Sequence, residues 1–266
     1  MTQAPSVRAR KLAVVNQKGG VGKTTTAINL GTALAAVGRK VLIVDLDAQG
    51  NASTGLGCDR ARRHVTSYHV MVGAADAREG IVHTEIPRLD LMPASAELSG
   101  SELELVELDQ PQRRLRAALE TIVGRYDFVL IDCPPSLNLV TVNAMVAADA
   151  VLVPLQCEFF ALEGLSQLLS TIERVRRTLN PTLDVQGIVL TMFDRRNKLS
   201  EQVAEDVRSH LGAKVYETII PRNVRISEAP SHGRPALLYD HRCAGSQAYI
   251  QLAGEMLRRE RQRSAA

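Results

Sequence analysis

Asn16-Gln17-Lys18-Gly19-Gly20-Val21-Gly22-Lys23-Thr24-Thr25-Thr26 stands between an apolar run, Leu12 to Val15, and a segment of helical spacing, Lys23 to Val37. The order of strand, glycine-rich turn and helix decides the fold. Glycines allow the backbone to curl with its N–H groups inward, and the helix start adds partial positive charge, so the turn is shaped to cradle phosphate oxygens. Lys23 is placed to neutralise the β and γ phosphates and the Thr24 hydroxyl to ligate Mg²⁺. The helix carries Ala27, Leu30, Leu34 and Val37 on one face and stops at Gly38, a good C-terminal breaker.

Working outward, strand-length apolar runs recur at Val41 to Val44, Phe128 to Ile131, Val151 to Leu155, Val185 to Leu190 and Val215 to Ile220. Such unbroken runs suit strands covered on both faces. Helical patterns fall between and after them, at Pro111 to Val123, Ser136 to Ala147, Leu162 to Leu179, Ser200 to Leu211 and Ser246 to Arg259. The alternation predicts an α/β fold, a doubly wound and mostly parallel sheet flanked by helices, with ligands at the carboxyl ends of its strands. Gly50 to Leu98 is least regular; loops, short helices and an antiparallel edge are expected there. The predicted organisation is a basic tail over 1–11, one nucleotide-binding domain over 12–258 and a short tail over 259–266.

Composition removes several classes of function. With 45% hydrophobic residues the chain can bury a full core, yet no stretch reaches the roughly 18 apolar residues that cross a bilayer. Met1 to Lys11 has no apolar signal core, so a cytoplasmic protein is expected. Cys58, Cys133, Cys157 and Cys243 form no C-x-x-C pair, which argues for reduced, mostly buried thiols. Aromatic content of 3% with no Trp speaks against a base-stacking platform, leaving phosphate contact as the route to nucleic acid.

Two carboxylate signals follow strands. Asp45 and Asp47 lie two apart at the end of the second strand, where extended chain points both to one face, toward the phosphates; the alternative is that they cap the following turn. Asp132 closes Phe128-Val129-Leu130-Ile131 and precedes Cys133-Pro134-Pro135, the arrangement of a Walker B strand. A lone carboxylate there can hold Mg²⁺ through a bound water, because this ion keeps much of its hydration shell. Thr191-Met192-Phe193-Asp194 matches the guanine-reading [NT]-K-x-D only weakly, since Met192 replaces the lysine.

The loop departs from G-x-x-x-x-G-K-[ST] by carrying Gln17 at the first position. It resembles instead the deviant Walker A loop of the ParA, Soj and MinD group, K-G-G-x-G-K-T-T, with Lys18 as the additional lysine. The resemblance implies that Lys18 reaches the nucleotide of a facing subunit in an ATP-bound sandwich dimer, and that Lys18 to Thr25 (Gly19, Gly20, Val21, Gly22, Lys23 and Thr24 between) hold ATP and Mg²⁺. Asp45-Leu46-Asp47-Ala48-Gln49-Gly50-Asn51 is similar to the family's D-x-D-P-Q-G-N with Ala48 for proline, which makes Asp47 the residue that orients the attacking water. Ile220-Pro221-Arg222-Asn223-Val224-Arg225-Ile226-Ser227-Glu228-Ala229-Pro230-Ser231-His232-Gly233 resembles I-P-R-N-V-R-L-S-E-A-P-S-H-G of chromosomal ParA/Soj proteins. By that match Pro221 and Asn223 contact the base, favouring adenine, and Arg225 and Arg196 grip DNA nonspecifically, with Arg195 and Lys198 as neighbours.

The resemblance spans roughly Lys11 to Leu257. It implies an ATPase that partitions a chromosome or plasmid on the nucleoid: the ATP dimer binds double-stranded DNA, and a ParB-like partner stimulates the hydrolysis that releases it. Ion pairing of Arg196 and Arg225 with Asp194, Glu201 or Glu228 is the plainer alternative for those arginines. A MinD-like membrane-surface ATPase would instead lay the C-terminal helix in lipid through Tyr249, Ile250, Leu252, Ala253, Met256 and Leu257. That face reads as docking onto the core, and Arg258 to Arg263 offers no bulky apolar residue to insert.

Overall fold

The computed structural model describes residues 9–265. Seven strands form one sheet: β1 (Arg10–Val14), β2 (Val41–Asp45), β3 (Val82–His83), β4 (Leu89–Met92), β5 (Phe128–Asp132), β6 (Ala150–Gln156) and β7 (Asp184–Thr191). Their spatial order is β3-β4-β2-β5-β1-β6-β7, and every pairing is parallel except β3 with β4. The helices are α1 (Lys23–Ala36), α2 (Asn51–Gly55), α3 (Ser67–Val72), α4 (Ser101–Leu105), α5 (Arg114–Glu120), α6 (Leu139–Ala147), α7 (Ala161–Thr178), α8 (Lys198–Leu211), α9 (Val224–Glu228), α10 (Ala236–Tyr239) and α11 (Ala244–Ala265).

The parallel strands feed two cores, because successive side chains leave opposite faces of a sheet. Leu12, Val14, Val41, Ile43 and Leu130 pack with α1 and with Tyr249, Leu252 and Met256 of α11. Ala13, Leu42, Val44, Val129 and Ile131 pack on the other face with Val140, Leu165, Leu168 and Val203 of α6, α7 and α8. At about 25 cal/mol per Å² of apolar area, this two-sided burial is the main force favouring the fold. The doubly wound, mostly parallel sheet expected from the sequence is present, and the short helices and antiparallel edge fall within Gly50 to Leu98.

Val215 to Ile220 is not a strand of the sheet. It follows β7 through one isolated bridge, Ile188 with Val215, and through Tyr216 N–H donating to Ile188 O at 2.9 Å and Ile220 N–H to Leu190 O at 2.8 Å. Between those points the Glu217 and Thr218 N–H groups donate to the Glu255 carboxylate of α11 at 3.0 and 2.9 Å. One carboxylate thus takes the donors a ladder would have used. Burial would raise the Glu255 carboxyl, but these donors and Arg259 hold it below the usual range.

Both chain ends differ from the expected boundaries. Arg10 and Lys11 belong to β1, where Lys11 is buried against Asp149 and Arg10 meets Glu260; residues 1–8 of the expected basic tail lie outside the described residues. At the other end α11 runs to Ala265. Arg259 anchors it, donating to Ala213 O and Val215 O at 2.8 Å and stacking 4.1 Å over the Tyr216 ring. The apolar face of α11 is used up against the core, with Ile250 turned outward. No described helix is long and apolar enough to cross a membrane.

Candidate functional site

At the carboxyl end of β1, between β5 and β6, the chain makes its glycine-rich turn. Gly20 and Gly22 take φ of 74° and 89°, left-handed conformations that an L side chain would strain. Gly22 is the N-cap of α1 with no side-chain cap, so the first-turn N–H groups stay available to an anion. Two side chains set the loop: Asn16 spans it, donating from Nδ2 to Pro154 O at 2.8 Å and accepting from Lys18 N–H at 3.0 Å, and Thr191 Oγ1 donates to Val21 O at 2.8 Å. Tyr249 of α11, at 3.2 Å from Thr26 Oγ1, braces the helix behind.

A cleft of about 460 Å³ opens over this turn, lined by Gly19, Gly20, Gly22, Lys23, Thr24, Thr25, Asp47, Pro221 and Asn223. These nine are the site residues named from the sequence that fall in its lining, which holds eleven others. Lys23 is 7% exposed and donates to Lys18 O at 3.1 Å. Burial lowers its ammonium from the usual range, opposed by Asp132 and, more weakly, Cys133 and Asp47. Val21 is buried and contributes its carbonyl to the loop's anchorage.

Asp132 lies below the loop, fully buried, and neither carboxylate oxygen has a hydrogen-bond partner. In register it stands between Val14 and Asp45. Burial pushes its carboxyl well above the ordinary value and Asp45 adds to this, while Thr24 and Lys23 oppose. Two orphaned acceptor oxygens beside a threonine hydroxyl are costly unless something arrives to be held. A hydrated divalent cation fits that donor set. The helix that follows is capped by Asn138, whose side chain accepts from Thr141 N–H at 3.1 Å, so Asp132 is not its cap.

Asp45 and Asp47 part company. The sequence pattern turns both toward the phosphates, but Asp45 is fully buried and occupied: Ser53 N–H and Oγ donate to it at 2.8 and 2.7 Å, and Asp47 N–H at 3.2 Å. It ties α2 to the end of β2. Burial raises its carboxyl to about 6 even with these donors in place. Only Asp47 reaches the cleft, its Oδ1 accepting from Gln49 N–H at 3.0 Å.

Lys18 does not line the cleft. Its ammonium is paired with Glu158, just past β6, and about half of each side chain is exposed. Asn223 caps α9, its Oδ1 accepting from Arg225 and Ile226 N–H at 2.9 and 3.3 Å, which leaves its amide NH₂ unspent by the cap. Pro221 adjoins Phe193 through the bridge beyond β7. Arg222, Met192, Asn51 and Tyr249 also line the cleft and were not singled out as cleft residues from sequence. The arginine in I-P-R-N was the available signal for Arg222.

The four basic candidates beyond the cleft are surface residues. Arg195 and Lys198 are exposed. Arg196 makes a two-pronged pair with Asp194 at 3.0 and 2.8 Å, holding that carboxyl down to about 2, and Arg225 pairs with Glu228 at 3.0 Å and Asp240 at 3.7 Å. The ion-pair alternative is therefore realised for both. Exposed pairs of this kind contribute little stability, so a phosphate can compete for either guanidinium.

Residues 9–185 match a family model described as AAA domain. Over 258 residues the chain is 66% identical to the chromosome partitioning protein ParA of Caulobacter vibrioides, covering 96% of this chain and 97% of that one. It is 51% identical over 245 residues to the sporulation initiation inhibitor protein Soj of Bacillus subtilis, covering 92% and 97%. The chain belongs to the ParA/Soj family of chromosome-partitioning proteins. The same fold appears in a Mycobacterium smegmatis protein described as cobyrinic acid a,c-diamide synthase with bound ATP analogue and magnesium. That structure superposes on this ParA/Soj-family chain with a TM-score of 0.83 at 37% identity, covering 95% of this chain and 96% of that chain.

Proposed function

We propose that this ParA/Soj-family chain is an ATPase that partitions DNA, using ATP to form a dimer that holds DNA nonspecifically and hydrolysis to let it go. The observation that carries the nucleotide reading is the orphaned Asp132 carboxylate beneath a capless helix start and a buried lysine. The ATP-analogue and magnesium complex of the Mycobacterium smegmatis relative supports the same reading. Gly19 to Thr25 and Lys23 hold the triphosphate, Thr24 and, through water, Asp132 hold Mg²⁺, and Pro221 with the free Asn223 amide meets the adenine. Held there, Mg²⁺ would supply neutralisation of the phosphate charge. Asp47 orients the attacking water, a positioning task in a reaction that asks little covalent chemistry of the protein.

Lys18, turned from its own cleft, is the residue assigned to the facing subunit's nucleotide. Arg196 and Arg225, with Arg195 and Lys198, grip the phosphate backbone, which gives affinity without sequence reading. A ParB-like partner stimulates hydrolysis, and the working place is the nucleoid. The membrane-surface alternative draws no support from α11, whose apolar face is spent on the core. Retention of the protein on double-stranded DNA with ATP, with ADP and without nucleotide tests the cycle. Strong retention with ATP alone is expected; equal retention in all three would refute it.

A further inference from the structure

Two of the chain's four phenylalanines are on its surface. Phe159 and Phe160 are 75% and 69% exposed, packed edge to face on one another with ring centroids 5.0 Å apart. They follow Glu158 directly, the residue that holds Lys18, and they precede α7. Exposed neighbouring rings in a chain only 3% aromatic mark a surface that expects cover.

We infer that Phe159 and Phe160 are the apolar anchor of the ATP-bound homodimer, seated against a second copy of this chain; the inference rests on the dimer reading above. Three observations select that occupant. The rings share a rim with Lys18, the loop lysine that its own cleft leaves outside. The rim is self-complementary in charge, with Lys18 and Glu158 side by side and each about half exposed. In an isologous interface the same rim meets itself across a two-fold, so a Lys18 that leaves Glu158 for the facing subunit's nucleotide brings the adjoining rings of both copies to the contact. The area also suffices. A fully buried phenylalanine covers about 150–250 Å², and with these rings about 70% exposed four of them across a two-fold would hide roughly 400–700 Å² of the about 1,200–2,000 Å² in a stable interface.

Apolar rings at the centre of an interface carry much of its affinity, while the charged rim sets the register. Because both rings are exposed in the single chain, truncating them removes little of its own packing. The test uses the full chain carrying Asp47→Ala, which arrests turnover, with ATP and Mg²⁺ in sedimentation velocity. That protein is expected to dimerise, and adding Phe159→Ala and Phe160→Ala is expected to weaken the dimer by about a hundredfold or more. Binding of a fluorescent ATP analogue by the monomer should be unchanged, which separates loss of interface from loss of fold. Leucine at both positions should restore a good part of the dimer. An undiminished dimer in the alanine variant overturns the inference, even if DNA retention or vesicle binding falls, since the rings would then serve another partner. Failure of Asp47→Ala itself to dimerise with ATP defeats the dimer reading, and the inference with it.

Discussion

Asp132→Asn should raise the stability of the nucleotide-free protein while removing its response to Mg²⁺ with ATP. Two unpartnered carboxylate oxygens sit in a fully buried position, in register with a second buried carboxylate. A buried, unpaired charge costs several kcal/mol; Lys23 offsets part of this, and the amide must still find partners, so a net gain of about 1–3 kcal/mol is expected. In a chain of this size each kcal/mol moves the melting temperature by about 2–4 °C, giving about 2–12 °C. The sign also fixes a pH dependence. Burial raises both Asp132 and Asp45 above their unfolded values, so their penalty is absent in acid and grows as pH rises, for Asp45 up to about 6. Wild type without ligand should therefore lose stability between about pH 4 and beyond pH 6, and the variant less. Saturation with Mg²⁺ and ATP, which adds about 4.1 kcal/mol at a thousand times the dissociation constant, should reverse the ranking. Calorimetric scans with and without ligand measure all of this; a ligand-free Asp132→Asn that melts below wild type would refute the reasoning.

Lys23→Ala should abolish nucleotide binding, since it removes the buried cation at the head of α1; titration with a fluorescent ATP analogue reads it, and near-normal affinity would be contrary. Asp47→Ala should keep ATP binding and slow hydrolysis by about 10²–10⁴-fold, measured as phosphate release. Arg225→Glu should leave ATP-dependent dimers intact and weaken DNA retention, lowering the dependence of log affinity on log salt by about one phosphate contact. Glu255→Ala orphans the Glu217 and Thr218 N–H groups and removes one of Arg259's partners; a loss of about 2–4 kcal/mol is expected in urea unfolding.

The loop, five of the six proposed strands and the buried acid that ends β5 were legible because local sequence determines them: apolar runs, glycines where φ is positive, and an acid at a strand end. What escaped depends on residues far along the chain. Side-chain alternation sets Asp45 and Asp47 on one face, yet Ser53, eight residues on, captures Asp45 and leaves Asp47 alone in the cleft. Val215 to Ile220 has the apolar character of a strand, but Glu255 in α11 takes its donors. No local pattern announces either partner. Lys18 is a third case, since its role was implied by family likeness while its pairing with Glu158, 140 positions away, needed the fold.

A crystal structure of Asp47→Ala with ATP and Mg²⁺ would probe the nucleotide site most directly. The expected result is a triphosphate enclosed by Gly19 to Thr25, the metal between Thr24 and a water on Asp132, and Lys18 from the facing subunit at the phosphates. A triphosphate bound elsewhere, or an Asp132 carboxylate still unpartnered with ligand present, would contradict the proposal.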